Sequence, residues 1–212
     1  MNLNKYDEIK ITDFPPTKIY ILLSEDFRKK LIENARITLK LKNYYTLAQW
    51  LNNQSFDYGL NNKFNGGDIN RWLKGNNFDN RTSTLHPKFI PLWVILKLTK
   101  VTNVSIEELQ TNIRSYRSSG SGEIIYNPKL PLKITPEFES IIFHIFGDGA
   151  ACDKSTPSYF QKNPIGYKNF ISKIKNCFGD FAINTNDRFK IRFPKAITDI
   201  LTYFYDIKSY HS

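Results

Sequence analysis

The stretch that most restricts this chain is Phe138-Glu139-Ser140-Ile141-Ile142-Phe143-His144-Ile145-Phe146-Gly147-Asp148-Gly149, an apolar helix running into Gly-Asp-Gly. Pro136 stands at its start, where a missing backbone N–H costs nothing. Ile141, Ile142, Ile145 and Phe146 share one helical stripe, so one side of the helix must be covered. The helix therefore carries a single carboxylate, Asp148, to the edge of a packed region. Two readings stay open at this point. One is a core helix with a glycine-rich stop, which these residues alone favour. The other is a helix whose end presents Asp148 for use.

The residues after Asp148 change period. Ser158 to Lys162 alternates as a strand, Gly166 to Phe178 has helical spacing, and Phe181 to Thr185 reads as a second strand. Asn186-Asp187 is a turn signal. Arg188-Phe189-Lys190-Ile191-Arg192-Phe193 then alternates without a fault. A period of two sends Phe189, Ile191 and Phe193 to a core and leaves Arg188, Lys190 and Arg192 as a positive row on the opposite face. Like charges side by side repel unless an anion compensates them. Pro194 closes the strand, and Ala196 to Tyr205 forms the last helix. Residues 129–212 thus read as an α+β domain in the order αββαββα with an antiparallel sheet.

Residues 1–16 are a polar N-terminal arm or a short edge strand. Residues 17–116 read as an all-α unit. Ser24-Glu25-Asp26 opens a helix lined by Leu31, Ile32 and Ala35. A short helix capped by Thr46 follows. A long polar stretch from Asn53 to Gly66 leads to a third helix, Gly67 to Gly75, with Ile69 and Leu73 inward. Phe89 to Leu98 is strongly apolar, and Ser105-Ile106-Glu107-Glu108 has the form of a capping box. Two short helices in tandem suggest a helix-turn-helix-like domain in which Asn70, Arg71 and Lys74 reach base edges or phosphates. The connection between them is longer than the usual turn. Residues 117–128, rich in Ser and Gly at their start, form the linker between the two domains.

The formal net charge of +10 is spread over both domains: residues 17–116 hold 15 Lys/Arg against 8 Asp/Glu, and residues 129–212 hold 12 against 8. Two basic folded units favour a polyanion partner, most simply nucleic acid. No stretch reaches the ~18 consecutive apolar residues of a membrane span, and the N-terminus lacks a signal-peptide core. The two cysteines, Cys152 and Cys177, form no C-x-x-C pair, which fits a reducing intracellular, cytoplasmic setting. The heavy use of Asn, Lys, Ile, Tyr and Phe is read as coding bias, so individual asparagines carry no weight. His144 is expected to be packed within its helix, and Asp180 to be a turn residue.

Ile141-Ile142-Phe143-His144-Ile145-Phe146-Gly147-Asp148-Gly149, with the alternating strand at 188–193, resembles the LAGLIDADG homing-endonuclease family, here in its archaeal-type form with a preceding helix-turn-helix-like domain. Ile90-Pro91-Leu92-Trp93 and Tyr126-Asn127-Pro128-Lys129-Leu130-Pro131 carry the wider resemblance. It implies a homodimer built on close packing of two motif helices at positions 143, 147 and 149. It further implies a double-stranded DNA target and Mg²⁺ held by one Asp148 from each copy. Lys190 and Lys208 are the implied catalytic support, and site-specific phosphodiester hydrolysis is the implied activity. The chain departs from the pattern at Phe143, where a small residue permits close approach. A sequence-specific DNA-binding transcriptional regulator with an inactive LAGLIDADG-like domain is the alternative that this departure brings.

Overall fold

The computed structural model describes residues 7–79, 84–118, 123–150, 156–183 and 189–206, with the backbone alone at 76–79, 84–86, 148 and 150. The chain divides into two compact units, Tyr20–Arg114 and Met1–Ile19 with Ser115–Ser212. Its elements are mixed α and β, with antiparallel strand pairs in both units.

The first residues belong to the second of these units. β1 (Glu8–Ile9) pairs antiparallel with Leu132–Lys133, and Glu8 forms an ion pair with Lys133. Ile9, Ile11 and Phe14 are fully buried, and the Phe14 ring meets Tyr116 edge-on at 5.7 Å. Burial of three large apolar side chains gives this segment a folded place that its polar average conceals. β2 (Ile19–Leu23) alternates, with Ile19, Ile21 and Leu23 inside, and the division between the units passes within it.

In Tyr20–Arg114, α1 (Glu25–Thr38) buries Phe27, Leu31, Ile32 and Ala35. The Ser24 hydroxyl does not cap it but donates to the Asn112 side-chain oxygen at 2.7 Å. α2 (Tyr44–Ser55) starts earlier than expected. Its cap is Asn43, which accepts from the Thr46 N–H while the Thr46 hydroxyl accepts from the Asn43 N–H. α3 (Gly66–Lys74) is capped the same way by Asn65 and Asp68 and ends at Gly75 with φ of 72°. The positive φ is what calls for glycine at the close of α3; a Cβ there would also crowd the Arg28 guanidinium. β3 (Asn76–Asp79) and β4 (Thr84–Pro87) pair antiparallel, and β5 (Ile90–Pro91) pairs with Ile21 and Tyr20. α4 (Leu92–Thr102) and α5 (Ile106–Thr111) complete the unit. These strands overturn the all-α expectation: a hairpin follows α3, and β2 needs a pairing partner that β5 supplies.

The stretch read as a polar loop is part of the core. Trp93, 1% exposed, stacks on Phe64 at 5.8 Å and packs on Tyr58 at 5.6 Å, while Phe64 meets Trp72 edge-on at 5.1 Å. Asn52 clamps the returning chain by donating to the Phe64 carbonyl at 2.9 Å and accepting its N–H at 2.8 Å.

In the other unit, β6 (Ile113–Ser118) enters across the division. Its Ser115 and Tyr116 pair with Tyr126 and Ile125 of β7 (Ile125–Tyr126). The expected linker is therefore partly strand at both ends; residues 119–122 lie outside the described residues. β8 (Leu132–Lys133) leads to α6 (Pro136–Phe143), whose cap Thr135 accepts from the Phe138 N–H at 3.2 Å. A π-helical turn, His144–Asp148, continues into β9 (Gly149–Ala150). β10 (Ser158–Phe160), α7 (Pro164–Phe178), β11 (Lys190–Arg192) and α8 (Lys195–Phe204) follow. The sheet order is β11-β10-β9, antiparallel.

The described residues give αββα, one strand, then α. Residues 181–183 are not strand, because Asp180 exchanges both backbone hydrogen bonds with Tyr126 at 2.7 and 2.8 Å and draws the chain away first. Residues 184–185, the end of that expected strand, lie outside the described residues. On α8, Asp199 is a buried carboxylate. It accepts from the Ser118 hydroxyl and has the Lys18 and Lys195 ammonium groups each at 3.8 Å, so its charge is buried but compensated.

Candidate nucleic-acid interface

The motif helix is built on an apolar floor. Phe138, Ile141, Ile142 and Ile145 are buried, with Phe138 stacked on Phe178 of α7 at 5.4 Å. His144 is half-buried with Nδ1 3.1 Å from the Tyr159 hydroxyl, and its ring meets Tyr159 and Phe170 edge-on, a packing role as expected. The opposite side is open. Phe143 is 68% exposed, and a Cβ placed on Gly147 would meet nothing within 4 Å. An open glycine one turn from an exposed phenylalanine leaves room for a second surface.

Gly149 has the opposite environment. Its Cβ would lie 2.4 Å from the Ile145 carbonyl oxygen, so the chain passes from the wide turn into β9 only with glycine here. The backbone of Asp148 is thereby fixed between the helix and the sheet. The Asp148 side chain lies outside what is described, as do Arg188 and Lys208. Mg²⁺ fits the carboxylate chemistry of a paired site, but among the described residues no three His, Cys, Asp or Glu side chains gather as a metal centre.

The sheet joins this helix end directly. In β10 and β11, Tyr159 pairs with Ile191, both buried, and Phe160 pairs with Lys190 on the other face. Lys190 and Arg192 lie half-buried on that outer face, next to Phe160 and Ser158 respectively. Two of the three expected cations are thus on one face, and the third, Arg188, lies outside the described residues. The row is not free of acid: Arg192 is close enough to Glu123 to oppose the burial that raises the Glu123 carboxyl above its usual range. Sequence distance hid this pairing. Phe193 is buried as expected, but Phe189 is 38% exposed. It precedes β11 rather than lying in it, and its ring turns onto Phe160 at 6.1 Å.

In the unit Tyr20–Arg114, α3 buries Ile69 and Trp72; Leu73, expected inside, is only half-buried. Asn70 and Lys74 are exposed on one side, one turn apart. Arg71 sits beside them, tied to Asp68 at 2.5 Å. The three residues named for DNA contact are therefore brought together. Their helix is not placed as in a helix-turn-helix. A Cβ on Gly66 would lie 3.4 Å from the Tyr45 nitrogen, so α3 begins beside the start of α2, after the chain has run back along α2 to reach it. A short helix-turn-helix corner instead starts the second helix where the first ends.

Cys177 lines a cleft of about 440 Å³ with Pro128, Lys129, Leu130, Pro131 and Asn176. Burial pushes its thiol up to about 11, which removes it as a nucleophile near neutral pH. Among the described residues, no helix is long and apolar enough to cross a membrane. In comparison with known proteins, no family model and no curated protein matches this chain.

Proposed function

We propose that this chain is a double-stranded DNA-binding protein of LAGLIDADG type. It acts as a homodimer whose motif helices pair and bring one Asp148 from each copy to the duplex for site-specific cleavage. The observation that carries this reading is the course of the chain through the motif. An exposed Phe143 and an open Gly147 run straight into Asp148, Gly149 and a sheet whose outer face holds Lys190 and Arg192. Packing and phosphate contact would then meet at the same helix end. Two copies are required because one carries a single motif carboxylate. Mg²⁺ would join only that paired site. A second reading, a DNA-binding transcriptional regulator that does not cut, is favoured by the bulk of Phe143 where two helices would have to approach.

The test is a binding titration across salt concentration, with cleavage of a plasmid library in Mg²⁺ by the native protein and by Asp148→Asn. Binding is expected to weaken steeply with salt, by about 0.9 in log K per log salt for each phosphate neutralised. Cutting that Asp148→Asn abolishes, with binding retained, supports the nuclease. Binding without cutting supports the regulator. No binding even at low salt overturns both.

A further inference from the structure

The outer face of the β10–β11 pair holds a feature that neither reading uses. Phe160 is 53% exposed at the end of β10, and Phe189 stands edge-on against it. Two cations belong to this region: Lys190 is the ladder partner of Phe160, and the exposed Lys162 follows Phe160 by two residues in the chain. The Gln161 N–H donates to the Phe189 carbonyl at 2.8 Å, which fixes the two ring-bearing backbones together. A large ring left in water on a strand loses the burial that would stabilise it, so its position calls for a partner with an apolar face. The flanking ammonium groups call for a partner that is anionic. A nucleic-acid strand has both, because every base has a π face and every link a phosphate. An intact duplex shows a protein only base edges, since its π faces are covered by neighbouring bases.

We propose that Phe160 is a stacking platform for an unstacked base of the bound DNA, with Phe189 buttressing the ring and Lys190 and Lys162 holding the adjoining phosphates. The proposal rests on the nucleic-acid reading above and specifies what that face takes: an opened step in the duplex rather than a fully stacked one. A base stacked on an aromatic side chain contributes about 1–3 kcal/mol, equivalent to a roughly 5- to 150-fold gain in affinity.

The test measures binding of the full chain to two duplexes of identical sequence, one fully paired and one carrying a short thymidine bulge. The native protein is expected to prefer the bulged duplex by at least about fivefold. Phe160→Leu keeps an apolar side chain of similar reach but removes the π face, and is expected to erase that preference while leaving binding to the paired duplex unchanged. Circular dichroism of the variant checks that it folds, and Lys162→Ala, at an exposed position, supplies a second arm that should weaken both complexes. Equal binding of the two duplexes by the native protein overturns the proposal, as does a preference that survives in Phe160→Leu. Failure to bind either duplex at low salt overturns the nucleic-acid reading itself.

Discussion

Replacing Trp93 with alanine is expected to lower the stability of the Tyr20–Arg114 unit by about 3–5 kcal/mol. The indole is almost wholly buried and lies between Tyr58 and Phe64, with Phe64 passing the contact on to Trp72. Its loss removes a large buried area and leaves a cavity whose walls are rings that cannot slide inward without breaking their own contacts. The return from α2 to α3 hangs on the same cluster, so the variant should also loosen the segment around Phe64. Phe56→Ala, at an exposed ring nearby in the chain, is the control and should stay within about 0.5 kcal/mol. Denaturant titration of both variants decides the matter. A Trp93→Ala midpoint no lower than that of the control would show that the aromatic cluster is not the centre of this unit.

Two glycines of the motif are expected to part company. Gly149→Ala places a methyl group 2.4 Å from the Ile145 carbonyl oxygen, a contact that forces the backbone of the wide turn or of β9 to move. A cost of about 1–3 kcal/mol is expected from such overpacking, together with a displaced Asp148. Gly147→Ala meets nothing within 4 Å in its own chain and should leave monomer stability unchanged or slightly raised. If two motif helices pair, that same methyl group should weaken the dimer. Thermal unfolding at low protein concentration, with sedimentation at high concentration, separates the effects. A Gly149→Ala protein as stable as the native one would show that the tight passage after Ile145 is not required.

Periodicity made the second unit readable because period and burial agreed there. The stripe of Ile141, Ile142 and Ile145, the strand around Ile191 and the last helix all lie where their spacing puts them. The failures have particular causes. Tyr58 and Phe64 lie in a stretch whose average is polar, and averaging hid their place against Trp93. Composition alone gives the asparagines no weight, yet Asn43, Asn65 and Asn163 cap helices and Asn52 clamps the return to α3. A biased composition still has to satisfy orphan N–H groups, and it does so with what it has most of. The N-terminal segment reads as an arm because its partners, Leu132 and Tyr116, are far away in sequence. The exposure of Phe189 follows from a strand that begins at Lys190, two residues after its alternation does.

The two points at which the chain passes between the units have a consequence for biosynthesis and engineering. Tyr20–Arg114 is an insertion within a host unit that begins with β1 and resumes at Ser115. Its ends close on each other, since the Ser24 N–H donates to the Asn112 carbonyl at 2.8 Å. The host is likewise closed across the gap, with Phe14 against Tyr116. During synthesis the insert is complete while its host still waits for its last strands. Because both sets of ends are adjacent, the guest is also removable. A chain in which a short flexible linker replaces it should still assemble β1 on β8, and retained helical and strand signal with a cooperative melt would show it.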